Sequence, residues 1–140
     1  MARTAAENEA SIQAFRRERL AEGVQVAQVT LRRTESSLLH SHTTTRDTFY
    51  IVAGCLTLTL YEDANSPAPS FHALSATPPQ EREANEAKRT RVLRFRLHPG
   101  DVFIIEPGVV HCAANLDDEP CSFLCIEGVG AYDFVLAEGH

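Results

Sequence analysis

The chain has 140 residues, of which 44% are apolar and 23% charged, and its net charge is −6. That length is enough to bury the core of one domain without disulfide or metal staples. No window approaches the ~20 consecutive apolar residues of a membrane-spanning helix, and no Lys/Arg stripe tracks a phosphate backbone, so neither a membrane nor a nucleic acid is an expected partner.

Residues 1–23 are read as an N-terminal helical segment. Thr4 followed by Glu7 has capping-box spacing, and Ile12, Phe15 and Leu20 share one side of a helix over about residues 5 to 20 that stops at Gly23. Arg16, Arg17 and Arg19 are read as its solvated face. The same segment lacks the apolar stretch and small-residue cleavage site of a secretory signal, which implies the reducing cytoplasm and four cysteines kept as thiols. Cys121 and Cys125 are separated by three residues, the spacing of neither a redox CxxC nor a zinc-ribbon half, and are read as small buried hydrophobes.

From Val24 the apolar pattern changes to period two. Val24 and Val26 alternate in one parity and Val29 and Leu31 in the other, which predicts a bulge or a break between them. Further strands are predicted at Leu38 to His42, Thr48 to Ala53, Cys55 to Tyr61, Val92 to Leu97, Val102 to Ile105, His111 to Asn115 and Ser122 to Glu127. Many short strands punctuated by Gly, Pro and Asn make residues 24–140 an all-β sandwich or barrel. Residues 62–90 hold four of the seven prolines and a run of charges, so they are read as a long loop insertion on the surface and not as a central strand. Lys88, the only lysine, falls in that insertion, which sets Schiff-base chemistry aside.

The chemistry concentrates in two segments. In the first, His40 and His42 stand at i and i+2, so in a strand they face the same side and can grip one ion, and Asp47 follows after a short polar run. Two imidazoles and a carboxylate make most of a metal-binding set. In the second, Pro107 and Gly108 supply a turn just before His111, which delivers a third imidazole toward the same cavity. By the period-two rule Phe49 and Ile51 lie on the side of Asp47 and Tyr50 opposite, while Cys112 points away from His111. His72, His98 and His140 lie outside both segments and are read as surface residues.

These two segments resemble the motifs of the cupin superfamily. The family's first motif runs glycine, five residues, His-X-His, three or four residues, glutamate, six residues, glycine, and this chain reads HSHTTTRD, TFYIVA and Gly54. The second runs glycine, five residues, Pro-X-Gly, two residues, His, three residues, Asn, and this chain reads Gly100, DVFII, Glu106-Pro107-Gly108, VV, His111, CAA and Asn115. There are three departures: Thr34 stands where the first glycine would, Glu106 stands where the proline would, and Asp47 replaces the glutamate. Aspartate is one methylene shorter and reaches ~1.5 Å less far, which leaves it either binding a metal directly or orienting a water or an imidazole beside it.

The resemblance covers about residues 24 to 130 and implies a double-stranded β-helix, the jelly-roll barrel of cupins. It implies one divalent transition metal (Fe, Mn, Ni, Co, Cu or Zn) on His40, His42, Asp47 and His111. It further implies a metal-dependent enzyme, with an oxygenase ahead of a lyase or isomerase, acting on a small chelating molecule. The alternative is a non-catalytic ligand-binding or sensor barrel. No catalytic side chain beyond the metal set is identified. A homodimer is also expected, packing through strand edges at Val24 to Leu31.

Overall fold

Asp47, Phe49 and Ile51 are at most 4% exposed, whereas Tyr50 between the last two is 43% exposed. Period-two alternation requires this of a strand with one buried face, and the same rule builds the rest of the molecule. The computed structural model describes residues 16–21, 24–63, 65, 69–74, 81–85, 90–128 and 135–137.

Twelve strands are present among these residues: β1 (Arg16–Ala21), β2 (Val24–Leu31), β3 (His40–Ser41), β4 (Arg46–Ala53), β5 (Leu56–Asp63), β6 (Phe71–Ala73), β7 (Glu81–Asn85), β8 (Thr90–Leu97), β9 (Val102–Ile105), β10 (Val110–Ala114), β11 (Cys121–Gly128) and β12 (Val135–Leu136). They form two six-stranded sheets, ordered β1-β2-β11-β4-β9-β6 and β12-β3-β10-β5-β8-β7. The pairings within both are antiparallel. The architecture is thus all-β, as the alternation predicts. Among the described residues no helix is long and apolar enough to cross a membrane.

The inner faces interlock. Ala27, Val29 and Leu31 of β2, Phe49 and Ile51 of β4, and Phe103 and Ile105 of β9 meet Leu56, Leu58 and Leu60 of β5 and Leu93, Phe95 and Leu97 of β8 in one buried cluster. Each such Leu, Ile or Phe contributes about 1.5–3 kcal/mol through burial. The two active-segment strands, β4 and β10, therefore rest on a packed floor.

Four sequence expectations are corrected. Residues 16–21 form strand β1 instead of the end of a helix, pairing with β2 from Arg16↔Gln28 to Ala21↔Val24, while residues 5 to 15 of the expected helix lie outside the described residues. The pairing satisfies backbone groups along the free side of β2 that a helix would leave bare. For the same reason Val24 to Leu31 is not an edge, since β2 sits between β1 and β11.

Nor is β2 broken. Its register with β11 runs without interruption from Gln25↔Glu127 to Leu31↔Cys121, because Ala27 continues the inward phase of Val29 and Leu31. Val26 lies on the outer face, so the apparent change of parity marks two faces and not a bulge.

The 62–90 stretch is more than a surface excursion. It continues β5 to Asp63 and supplies β6 and β7, which pair with β9 and β8 at the outer edges of the two sheets. Edge positions are where a proline-rich segment can add strands. Phe71 of β6 anchors it, stacked on Phe103 at 5.3 Å and edge-on to Phe95 at 4.9 Å, contacts of about 0.5–1.5 kcal/mol each beyond burial.

Candidate metal centre

His40 on β3 pairs directly with His111 on β10, so two residues distant in sequence become cross-strand neighbours with adjacent side chains. His42 follows at the end of β3, and the Gly108 N–H donates to the His42 carbonyl at 2.7 Å. Gly108 has φ +82° and sits third in the turn Glu106-Pro107-Gly108-Val109, where a type II turn needs glycine. The turn that precedes His111 is thereby tied to the strand that carries the histidine pair. Asp47 enters from β4 in the other sheet.

The four side chains converge. His40, His42, Asp47 and His111 each offer a ligand atom, and these atoms lie within 4.8 Å of one another. The imidazole centroids are 4.4 Å apart for His40 and His111, 4.9 Å for His40 and His42, and 5.6 Å for His42 and His111. None of the four residues is more than 6% exposed. Asp47 Oδ2 lies 2.9 Å from His42 Nε2 and 3.0 Å from His111 Nε2. The missing methylene does not keep the carboxylate from the imidazoles.

Hydrogen bonding fixes the tautomers. His40 Nδ1 lies 2.6 Å from the Leu38 carbonyl and His111 Nδ1 lies 2.8 Å from the Val109 carbonyl. A carbonyl only accepts, so both Nδ1 atoms carry hydrogen and, in the neutral ring, both Nε2 atoms present lone pairs. For His111 that lone pair faces the Asp47 carboxylate. Two acceptors at 3.0 Å repel unless a proton or a cation lies between them.

The electrostatics keep the Asp47 carboxylate charged. Burial, then the charges of His111 and His42, push His40 well below the ordinary histidine value. Burial pushes Asp47 up, but the hydrogen bonds and charges of His111 and His42 outweigh it and hold the carboxyl well below its usual range. Asp47 Oδ1 is buried and accepts no hydrogen bond among the described residues. Three imidazole nitrogens and a carboxylate with a spare oxygen fit a divalent transition metal.

Other sequence readings fall away from this centre. Asn115, the last residue of the second motif, donates to the Leu31 and Glu119 carbonyls at 2.9 and 2.7 Å and pins the loop before β11. Cys112 lies opposite Thr59 on the outer face, and burial pushes its thiol up. His72 and His98 have side chains 47% and 58% exposed, while His140 is outside the described residues. All four cysteines are free thiols.

Sequence reasoning missed two residues at the centre. Cys125 and Glu127 lie on the inward phase of β11 at 6% and 3% exposure, and their ligand atoms fall within 4.8 Å of each other and of that of Asp47. The signal was present in the strand itself: after Cys121 and Phe123, the next inward positions are a cysteine and a glutamate, and a carboxylate is costly to bury inside a core.

Comparison with known proteins adds the following. A family model described as "Cupin domain" matches residues 90–127, a stretch that contains His111, Cys125 and Glu127. No curated protein matches the sequence. Among solved structures, Peruvianin-I, described as a cysteine peptidase from Thevetia peruviana latex, is 16% identical with a TM-score of 0.57, over 83% of this chain and 56% of that one. Oxalate decarboxylase from Bacillus subtilis is 22% identical with a TM-score of 0.56, over 81% of this chain and 23% of that one. The Lactobacillus farciminis oxalate decarboxylase formate complex is 21% identical with a TM-score of 0.54, over 81% and 26%. The chain thus spans about half of the first and about a quarter of the other two. At these identities the likeness is one of fold. A further Bacillus subtilis oxalate decarboxylase structure is described with Mn(II) centres.

Proposed function

From the cupin-domain match over residues 90–127 and the likeness of fold to oxalate decarboxylase, we propose that this chain is a cupin and a metal-dependent enzyme acting on a small, metal-chelating organic molecule. The observation that carries this is the orientation of the imidazoles. Backbone carbonyls of Leu38 and Val109 hold the Nδ1–H of His40 and His111, so that Nε2 of His111 is aimed at Asp47. Such anchoring of the second nitrogen is how proteins orient histidine ligands.

His40, His42, Asp47 and His111 would hold the ion. When bound, a divalent transition metal supplies Lewis acidity and, for a redox-active ion, one-electron chemistry. The chain's own part is positioning and exclusion of water. Phe49 lies edge-on to His111 at 6.3 Å and Ile105 is paired with Asp47, an apolar surround that favours direct contact between a chelating molecule and the site over solvation.

Oxygenase chemistry is the first reading, by analogy with other single-domain cupins, and an imidazole-rich set accepts iron among several divalent ions. Decarboxylase or other lyase chemistry on a small acid is the second, supported by the fold likeness to oxalate decarboxylases. Elemental analysis of protein purified without a metal-affinity tag tests both, with His40→Ala and His111→Ala as controls. Near-stoichiometric iron, lost in the controls and accompanied by oxygen uptake with small chelating acids, supports the oxygenase. Manganese, nickel or zinc with release of carbon dioxide supports the lyase. No metal under any loading condition overturns both and leaves a ligand-binding barrel.

A further inference from the structure

We propose that Asp47, Cys125 and Glu127 form a second cation site, which shares the Asp47 carboxylate with the three histidines. The inference rests on the metal-binding reading of the first cluster, because Asp47 belongs to both. Glu127 on β11 stands directly across from Asp47 on β4. Cys125 is two positions back on the same inward phase, with its Sγ 3.9 Å from Glu127 Oε1. The ligand atoms of the three lie within 4.8 Å of one another, and all three residues are buried.

The Asp47 carboxylate has an oxygen that the histidines do not use. Its Oδ2 faces His42 and His111 at 2.9 and 3.0 Å, while its Oδ1 is buried and accepts no hydrogen bond among the described residues. A buried carboxylate oxygen with no donor is costly, and a cation between Asp47 and Glu127 removes that cost. Asp47 and Glu127 are also buried together at 2% and 3% exposure, and a cation between them would neutralise two carboxylates in a medium of low dielectric.

The donor set selects the ion. Two oxygens and one sulfur suit Zn(II), Co(II) or Fe(II), whereas Mg(II) and Ca(II) prefer oxygen alone. Cys125 binds as thiolate, so its S–H proton leaves to solvent as the metal–sulfur bond forms, with no change of oxidation state.

Cobalt(II) titration of the full chain, stripped of metal with a chelator, tests this by two readouts: cobalt bound per chain and thiolate-to-cobalt absorption in the near ultraviolet. The wild type is expected to bind a second equivalent and to show the thiolate band. Cys125→Ser is expected to lose that equivalent and the band, and Glu127→Gln to weaken the second equivalent at least tenfold, both keeping the equivalent held by the histidines. His111→Ala is expected to keep the thiolate band. A single equivalent without the band, unchanged by Cys125→Ser and abolished by His111→Ala, overturns the second site and leaves the three-histidine reading standing. No cobalt uptake by the wild type overturns both.

Discussion

His111 turns Nε2 toward Asp47 Oδ2 at 3.0 Å while its Nδ1 donates to the Val109 carbonyl at 2.8 Å. The ring cannot satisfy both contacts as a neutral donor, so the pair is arranged for a positive charge between nitrogen and oxygen. Asp47→Asn keeps the shape and removes the carboxylate charge. Its expected effect is a loss of metal affinity of 10-fold or more, on the scale of groups that tune a bound ion. In the wild type, metal at about 100 times its Kd stabilises the fold by about 2.7 kcal/mol, a rise in Tm of roughly 8–10 °C for a domain of this size. Calorimetric titration and thermal melts of the two proteins check this. Equal affinity in Asp47→Asn would place the carboxylate outside the metal's reach.

How much of this was legible in the sequence depended on how local each signal was. His40 and His42 share a face by strand geometry alone, and the alternation of Phe49, Tyr50 and Ile51 announced its own buried side. The Ala27 phase was misread because a small residue at an inward position carries little hydrophobic signal. Strand β1 was missed because its pairing with β2 competes with a helix pattern that is locally reasonable, and tertiary pairing overrides propensity. Phe71 sits in a proline-rich stretch and gives no local strand signal, since Phe95 and Phe103 are its partners only in the folded chain. Glu127 escaped for the same reason: its role follows from register with Asp47 across two strands distant in sequence.

Thr34 stands where the cupin motif has glycine, and its φ of +66° lies in the left-handed region that favours glycine. It is the third residue of a turn closed by the Glu35 N–H on the Arg32 carbonyl at 3.0 Å, and its own N–H donates to the Asn115 carbonyl at 2.9 Å. A left-handed conformation costs an L-residue about 1–2 kcal/mol, and a β-branched one is an outlier there. Thr34→Gly relieves that strain and keeps the backbone bonds, against an entropic cost of about 0.5–1 kcal/mol. A net gain of about 0.5–1 kcal/mol is expected in urea unfolding. A lower midpoint with an unchanged m-value would refute the strain.

Gly54 gives the opposite case. It has φ +75°, and a Cβ placed on it would lie 2.4 Å from the Pro120 carbonyl oxygen and 2.9 Å from Cys121 Cα. Both obstacles are backbone and cannot swing aside. Gly54→Ala is expected to cost more than about 2 kcal/mol, from the left-handed penalty together with the overlap. A loss below about 0.5 kcal/mol would mean that the β4–β5 turn and the loop before β11 are not in this contact.

The homodimer expected from the sequence is proposed here to form through the outer face of the first sheet. Tyr50 and Val52 on β4 are 43% and 53% exposed, and Tyr50 is flanked across the strands by Leu124 and Val102. Burying such a face against a second copy would remove apolar area from water on both sides. Light scattering is expected to give a dimer for the wild type and a monomer for Tyr50→Glu/Val52→Lys. A wild-type monomer at every concentration tested would sink the proposal.

Glu106 provides a test of pH dependence away from the metal cluster. Its Oε2 accepts from Arg46 Nε at 2.9 Å, and its Oε1 lies 3.0 Å from His72 Nε2. Burial pushes its pKa up, but the hydrogen bonds and charges of Arg46 and His72 outweigh it and leave the group lowered from 4.5. A carboxyl whose folded pKa lies below its unfolded one stabilises the fold above the unfolded pKa. That contribution is lost as the pH falls through the folded value. Arg46 is 66% exposed, so solvent screening limits the effect to about 1 kcal/mol or less. Between pH 7 and pH 3 the wild type should therefore lose more stability than Glu106→Gln, with the two converging at the acid end. Urea unfolding at both pH values gives the difference. Equal acid sensitivity in the two proteins would show that Arg46 and His72 do not hold this carboxylate.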